Sequence, residues 1–397
     1  MRVMMLSWDF PPRVTGGTAA HVAGLSEGLA RAGHELVVLT VADRPAELDA
    51  KQPNKVHVLR TLVDLPWLPA TDPIARTSSA NHAVTKLGAR LTGELTGWVP
   101  DIVHGHDWRL GWAADSLATQ YDVPFMLTMH GTERVRHGGQ LPHGVPTDIS
   151  SIEWWLAFQA DRMISPTRFI VEQLVTEFEL SPDHVIHVPN GIDPNLWRAT
   201  PAQRIDSEAV DEPLVVSWGR VQYEKGFQVL ARSMHELRGR VPDAKSVIAG
   251  WGSYLPELQT QIDVEGVSDI IELTGFLPEG ELRDLVHRAG CVVIPSLYEP
   301  FGIVALEALA AEAPLIVART GGLSELIEGT DAGLTFEPGN PDDLADAIER
   351  VLTDRALAKQ LTSSARELVE KKYAWGAIAA ATAKIYASTE RSPHAQR

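Results

Sequence analysis

Cys291-Val-Val-Ile-Pro-Ser-Leu-Tyr-Glu-Pro-Phe-Gly-Ile-Val-Ala-Leu-Glu307 decides the fold class of this 397-residue chain. Its opening, Cys291 to Pro295, is short, apolar, β-branched and uncharged, so it reads as a buried strand. From about Gly302 the chain reads as a helix, which puts Glu299 on the strand-to-helix loop and Glu307 in the second helical turn. A buried strand that feeds a helix is the repeating unit of a parallel α/β sheet. The backbone N–H groups of Phe301, Gly302 and Ile303 open this helix, and such an opening attracts phosphate. Carboxylates on either side can accept hydrogen bonds from sugar hydroxyls, so the segment suits a ligand that joins a pyrophosphate to sugars. Two plainer readings compete. The glutamates can be ordinary solvated residues, or they can form a glycosidase pair. Such pairs stand roughly 5–9.5 Å apart. Helical rise alone carries Glu307 about 7.5 Å beyond Gly302, with Glu299 further back, which disfavours a cooperating dyad.

Working outward, short apolar strands alternate with helical segments from end to end. Strands are expected at 3–7, 35–40, 56–60, 101–104, 125–129, 163–165 and 185–188. A polar, proline-rich stretch from 190 to about 213 lacks strand character and is the best linker. The alternation restarts at 214–218, 246–249, 270–274, 291–295, 315–317 and 334–336. Two consecutive doubly wound units follow, with boundaries at 1–195 and 196–373. An alanine-rich helix over 374–390 is expected to pack back on the first unit, and 392–397 is expected to fray.

Composition agrees with two globular domains. An apolar fraction of 44% and a charged fraction of 22% are ordinary. A net charge of −17 argues against nucleic acid or an acidic membrane as the main partner, and requires a local cationic pocket for any anionic ligand. The single cysteine, Cys291, lies in a core strand, which excludes a disulfide framework and fits a reducing compartment. No apolar run reaches transmembrane length, and the N-terminus lacks signal-peptide character, so a cytoplasmic location is expected.

Ligands of open α/β sheets bind where strands end. After the first strand comes Asp9-Phe-Pro-Pro-Arg-Val-Thr-Gly-Gly17, whose paired glycines allow close backbone approach or simply a tight turn. This is not a Gly-x-Gly-x-x-Gly fingerprint, so a dinucleotide redox site is disfavoured. After the first strand of the second half comes Gly219-Arg220-Val-Gln-Tyr-Glu-Lys225-Gly226. Arg220 and Lys225 there can neutralise a pyrophosphate and a departing diphosphate; the plain alternative is a surface ion pair with Glu224. His104-Gly-His-Asp107-Trp108 and Met129-His130-Gly-Thr-Glu133 follow two further strands. The His-x-His-Asp cluster is also compatible with a metal site, but no second ligand cluster supports it, and there is no Asp-x-Asp tripeptide. Of eleven tryptophans, Trp8, Trp108, Trp112, Trp154 and Trp155 fall near these loops and suit sugar stacking or packing. The stretch 131–144 reads as an acceptor loop or a solvent loop.

Gly16-Gly17, Asp107-Trp108, Asn190-Gly191-Ile192-Asp193, Gly219-Arg220 with Lys225-Gly226, the Glu299–Glu307 segment and Gly321-Gly322, in this order, resemble the retaining glycosyltransferases of family 4. The resemblance spans the chain and implies the GT-B architecture, two facing Rossmann-like doubly wound parallel-sheet domains. Trp8-Asp-Phe-Pro-Pro, His106-Asp-Trp and Tyr298-Glu-Pro-Phe-Gly resemble glycogen-synthase-like and mycobacterial-type α-(1→4) glucosyltransferases. The implied donor is a nucleoside-diphosphate sugar, the implied acceptor a glucan or glucoside, and no essential metal or other cofactor is expected.

The resemblance also implies roles. Arg220 and Lys225 would hold the diphosphate, with Phe301, Gly302 and Ile303 contributing N–H groups. Glu307 would accept from ribose hydroxyls and Glu299 from the transferred sugar. His130 would lie against that sugar near the reacting carbon. Gly16 and Gly17 would give backbone to the phosphate or sugar, and Leu277 would lie near the base. The first domain would bind acceptor, through Asp107, Trp108 and Asn190. Retention would proceed by front-face substitution, the leaving diphosphate taking the acceptor proton, with domain closure hinged within 190–213. Two departures bear on the donor: Val14 stands where ADP-glucose-dependent bacterial glycogen synthases carry lysine, and Thr18 where leucine is usual. UDP-glucose and GDP-mannose therefore stay open, as do mannosyl or other hexosyl transfer to a lipid or small glycoside, a nucleotide-sugar epimerase on the same fold, and a non-catalytic binding module. A phosphorylase lacks a pyridoxal-lysine context. The oligomeric state is not legible.

Overall fold

The structure, a computed structural model, describes residues 1–13, 17–48, 55–63, 72–91, 97–199 and 213–391. The chain forms two compact units, Met1–Gly191 with Trp375–Arg397, and Ile192–Ala374. The crossings fall at 191/192 and 374/375 rather than at 195/196 and 373/374, because Ile192 pairs with the end of its own unit. Its N–H donates to the Tyr373 carbonyl at 2.8 Å, and it bridges Ala374.

In the first unit, β1 (Arg2–Ser7), β2 (Glu35–Ala42), β3 (Val56–Leu62), β4 (Ile102–His106), β5 (Phe125–Thr128), β6 (Arg162–Ser165) and β7 (Val185–His187) form one parallel sheet. Their order is β3-β2-β1-β4-β5-β6-β7. β4 runs two residues past its expected end, since His106 stays in register with Ser7 of β1 and Thr128 of β5. The helix α1 (Gly17–Arg31) shares an apolar cluster with the C-terminal helix Trp375–Ser388, joining Val22, Leu25 and Leu29 to Ile378, Ala379 and Tyr386. Small residues make room for that helix: a Cβ on Gly24 would sit 2.0 Å from the Trp375 indole, and one on Gly191 2.5 Å from it.

A polar tie fixes the same helix to the sheet. One nitrogen of the buried His104 ring stands 2.6 Å from the Tyr386 hydroxyl, the other 2.7 Å from the Thr128 hydroxyl. Removing one partner of a buried hydrogen bond costs about 1–3 kcal/mol. Tyr386→Phe is therefore expected to lower unfolding stability by about 1–2 kcal/mol with an unchanged denaturant slope. An unaltered midpoint would show that the tie contributes nothing.

In the second unit, β8 (Leu214–Trp218), β9 (Lys245–Ala249), β10 (Ile271–Gly275), β11 (Cys291–Ile294), β12 (Leu315–Ala318) and β13 (Leu334–Phe336) form a parallel sheet. The order β10-β9-β8-β11-β12-β13 repeats the pattern of the first unit. Successive side chains alternate between faces. Val216 and Val292 pack on one face with Leu306 and Leu309, while Val215 and Val293 pack on the other with Leu230 and Met234. Burial on both faces explains why the strands read as continuous apolar runs rather than alternating ones. The helices that matter here are α2 (Phe227–Leu237), α3 (Ile303–Ala310) and α4 (Gly321–Ile327). In each sheet the strand order reverses beside the first strand, between β1 and β4 and between β8 and β11. Such switch points open a crevice at the carboxyl ends of the strands.

Most of the expected linker, 200–212, and the tail 392–397 lie outside the described residues, so the hinge expectation does too. Among the described residues, no helix is long and apolar enough to cross a membrane.

Candidate active site

In the second unit the two loops at the β8/β11 switch point carry the chemistry. The first leaves Trp218, forms a short turn over Tyr223–Lys225 and ends at Gly226, which adopts φ 71° as it opens α2. The second leaves Ile294 and reaches Gly302, which adopts φ 89° as the cap of α3. Backbone bonds clamp the loops together: Leu297 N–H donates to the Glu224 carbonyl at 2.8 Å. The clamp brings Lys225 onto Glu299, with Nζ donating to Oε2 at 2.6 Å, and Ser296 Oγ donates to the same oxygen at 3.3 Å. Lys225 thus pairs with Glu299, 74 residues away, not with its neighbour Glu224. An ammonium carries three donors, so two remain for an anion.

Arg220 lies two residues beyond the end of β8, is exposed, and makes no ion pair among the described residues. The N–H groups of Phe301, Gly302 and Ile303 likewise make no hydrogen bond among the described residues, and they open α3 as the sequence suggested. Gly322 N–H donates to the Glu299 carbonyl at 2.9 Å, so α4 fixes the loop from its other side. Leu277, just after β10, is half-buried against the core.

Glu307 lies on α3, half-buried, and its Oε2 accepts from Trp218 Nε1 at 3.1 Å. Burial pushes its carboxyl up to about 7, against the opposing pull of the indole N–H. One switch point therefore holds two cations, three open N–H groups and two carboxylates of different character: one ion-paired, one poised near neutrality. This set can neutralise a diphosphate and accept from hydroxyls on both sides of it.

In the first unit a second cluster forms at the carboxyl ends of β4 and β5. Asp107 adopts φ 56° and ψ −179°, a backbone state that costs a non-glycine residue about 1–3 kcal/mol. Its Oδ1 accepts from His130 N–H at 2.9 Å, and Thr18 Oγ1 on α1 donates to Oδ2 at 3.4 Å. Burial raises its carboxyl above the usual range. His106 Nδ1 and His130 Nε2 stand 3.3 Å apart, and the His21 ring of α1 lies 4.6 Å from that of His130. Burial, and then Arg136, lower His130 to about 4. Burial holds His21, His104 and His106 well below the ordinary imidazole value, so all four rings are neutral near pH 7. Asn190 is buried and faces His21. Gly17 opens α1 in this unit, while Gly16 and Val14 lie outside the described residues.

Several expectations change here. Trp108, assigned to the acceptor, is 3% exposed and packs in the core with Leu110 and Leu156, so it serves packing. Trp8 is also buried, beneath the guanidinium groups of Arg13 and Arg109 at 5.4 and 5.3 Å from its ring. Of the five tryptophans noted, Trp154 presents the largest exposed surface. The stretch 131–144 is not all loop: Thr132 Oγ1 accepts from Val135 N–H at 3.2 Å and caps a short helix, Glu133–Arg136.

That helix exposes a group the sequence reading missed. Arg136 Nη1 lies 2.6 Å from Glu133 and 3.5 Å from the fully buried Glu153. Burial pushes Glu153 up to about 8, against the pull of Arg136. One guanidinium serves three carboxylates here, since Asp107 also feels it. The signal available in sequence was weak: a lone glutamate on the otherwise apolar face of the helix Val145–Gln159.

Comparison with known proteins agrees with this anatomy. Residues 15–196 match the model of Glycosyltransferase Family 4, and residues 200–368 that of Glycosyl transferases group 1. A glycogen synthase of Mycobacterium tuberculosis is 35% identical over 401 residues, spanning 98% of this chain and 95% of its own length. Sucrose-phosphate synthase from Thermosynechococcus elongatus superposes with a TM-score of 0.80 at 22% identity, over 97% of this chain and 98% of its own. An Anabaena protein solved with UDP-glucose gives 0.75 at 17% identity, over 98% of this chain and 100% of its own. The two structural likenesses establish the fold, and the first relative establishes the family. The chain belongs to glycosyltransferase family 4: it is a hexosyltransferase with the GT-B fold that uses a nucleotide-sugar.

Proposed function

We propose that the chain is a retaining glucosyltransferase that moves glucose from a nucleoside-diphosphate-glucose to an α-glucan or glucoside acceptor, forming an α-(1→4) bond. The observation that carries the donor half is the Lys225–Glu299 pair beside the open N-terminus of α3. The glucan half is supported by 35% identity to a protein named glycogen synthase, and the glucose donor by the UDP-glucose in the Anabaena structure.

In this reading Arg220, Lys225 and the N–H groups of Phe301, Gly302 and Ile303 take the diphosphate, and Leu277 borders the base. Glu307 accepts from ribose hydroxyls, and Glu299 orients the transferred glucose while holding Lys225 in place. In the first unit, His130 serves the sugar as a neutral hydrogen-bonding group and Asp107 with Asn190 serves the acceptor. Gly17 gives its backbone to the phosphate or sugar. The bond from the anomeric carbon to the diphosphate oxygen breaks as the acceptor hydroxyl attacks the same face. The leaving diphosphate takes the acceptor proton. The cations stabilise the charge that develops on it.

Glu307 gives a pH test. Accepting from ribose requires the ionised form, and its carboxyl sits at about 7. Donor affinity should therefore rise about tenfold from pH 6 to pH 8, since each pH unit below the pKa removes about a factor of ten. Glu307→Gln should flatten that dependence. For folding the sign is opposite: a raised carboxyl value gives stability that is complete below about 4.5 and lost as pH rises through about 7.

Incubation with UDP-glucose, ADP-glucose, GDP-mannose and UDP-N-acetylglucosamine, with and without maltooligosaccharides, tests the whole reading. Acceptor-dependent nucleotide release with α-(1→4)-elongated products is expected from one glucose donor. Release without elongation, or turnover of GDP-mannose alone, would overturn the glucan assignment.

A further inference from the structure

The histidines at the head of the first unit are not equivalent. His104 has both ring nitrogens within hydrogen-bond distance of hydroxyls, so it is held as a structural residue. His21, His106 and His130 differ: one ring nitrogen from each lies within 4.8 Å of the other two. They come from three elements, α1, the end of β4 and the segment after β5, so the topology rather than local sequence assembles them. The buried Nε2 of His106 has no hydrogen-bond partner among the described residues. Its Nδ1 faces His130 Nε2 at 3.3 Å, so with the proton on the unpartnered Nε2 the Nδ1 lone pair points to where a shared ion would sit.

We infer that His21, His106 and His130 form a binding site for a borderline divalent transition metal such as Zn²⁺, with water as a fourth ligand. Zinc binds imidazole nitrogens at about 2.0–2.1 Å in a tetrahedral shell, whose ligand atoms stand about 3.3–3.4 Å apart. His106 Nδ1 and His130 Nε2 already stand at 3.3 Å. His21 closes the third corner with a movement of no more than about 1.5 Å, well within side-chain adjustment. Three neutral imidazoles without a thiolate favour Zn²⁺, Cu²⁺, Ni²⁺ or Co²⁺ over Mg²⁺ or Ca²⁺, which prefer oxygen ligands. His130 is half-buried rather than sealed in the core, which leaves one side of the cluster for the water.

The site would be inhibitory. A metal that engages His130 withdraws it from the sugar, a consequence that rests on the role given to His130 above. The binding itself does not rest on that role.

The test is calorimetric titration of EDTA-treated, dialysed protein with ZnCl₂, alongside Co²⁺ as a spectroscopic probe. Wild type should take up one equivalent of Zn²⁺, and the Co²⁺ form should show the visible bands of a tetrahedral site. His21→Gln and His106→Asn, each checked for native circular dichroism, should weaken uptake at least tenfold. Wild type without uptake, variants that bind as tightly, or a Co²⁺ spectrum of octahedral type would each overturn the site. The Co²⁺ spectrum decides on wild type alone if a variant fails to fold. Zinc should also slow hexosyl transfer, with EDTA restoring it. Stoichiometric binding without inhibition would keep the metal site and refute the assignment of His130 to the sugar.

Discussion

Replacing Lys225 with alanine is expected to lower kcat for hexosyl transfer by about 10²–10³-fold, the cost of removing one preorganised donor from developing charge. Two effects combine in this variant. The leaving diphosphate loses a cation, and Glu299 loses the partner that donates to it at 2.6 Å. Glu299 would then sit as an unpaired carboxylate beside an anionic donor, a repulsion that penalises the transition state further. Lys225→Arg keeps the charge but replaces a point cation with a planar fork, so partial recovery is expected. Steady-state kinetics with the preferred donor, on protein with native circular dichroism, would show it. A kcat within threefold of wild type would remove Lys225 from the account.

The second large effect is structural. Gly226 adopts φ 71°, and a Cβ there would sit 1.8 Å from the Pro295 carbonyl oxygen. The obstacle is backbone on β11's exit, which cannot swing aside as a side chain does. Gly226→Ala therefore adds left-handed strain of about 1–3 kcal/mol to an overpacking cost of similar size. A loss of about 3 kcal/mol or more corresponds to a fall of roughly 6–12 °C in Tm for a unit of this size. Gly280→Ala is the control. That glycine lies in the helix Glu279–His287 with nothing among the described residues within 4 Å of its Cβ position, so the change should be neutral or slightly stabilising. Equal melting temperatures for the two variants would refute the clamp between the switch-point loops.

The architecture was readable because strands buried on both faces leave uninterrupted apolar runs. All thirteen strands among the described residues were identifiable, including the three-residue β13. Gly105 and His106 hid the two-residue extension of β4, since a glycine and a histidine do not look like strand, and only pairing with β1 and β5 keeps them there. The donor segment was also readable, because Glu299, Gly302 and Glu307 belong to one strand–loop–helix unit. Pairings between units of the sheet were not. Nothing local joins Lys225 to Glu299, or His21 to His106 and His130; the parallel topology brings each set to a switch point. His21 left one faint trace: it follows the glycine pair by one helical turn, at the same end of the sheet as β4's exit. Trp108 misled because an aromatic beside a cleft residue looks the same in sequence whether it faces a ligand or the core.

Titration of the wild-type protein and Lys225→Ala with ADP, UDP and GDP, followed by calorimetry, tests the central claim that the β8/β11 switch point holds a nucleoside diphosphate. The account predicts one-to-one binding of at least one of these by wild type. It also predicts at least tenfold weaker binding by the variant, and weaker binding of the matching monophosphate than of the diphosphate. Equal affinity for wild type and variant, or no binding of any diphosphate by wild type, would contradict it.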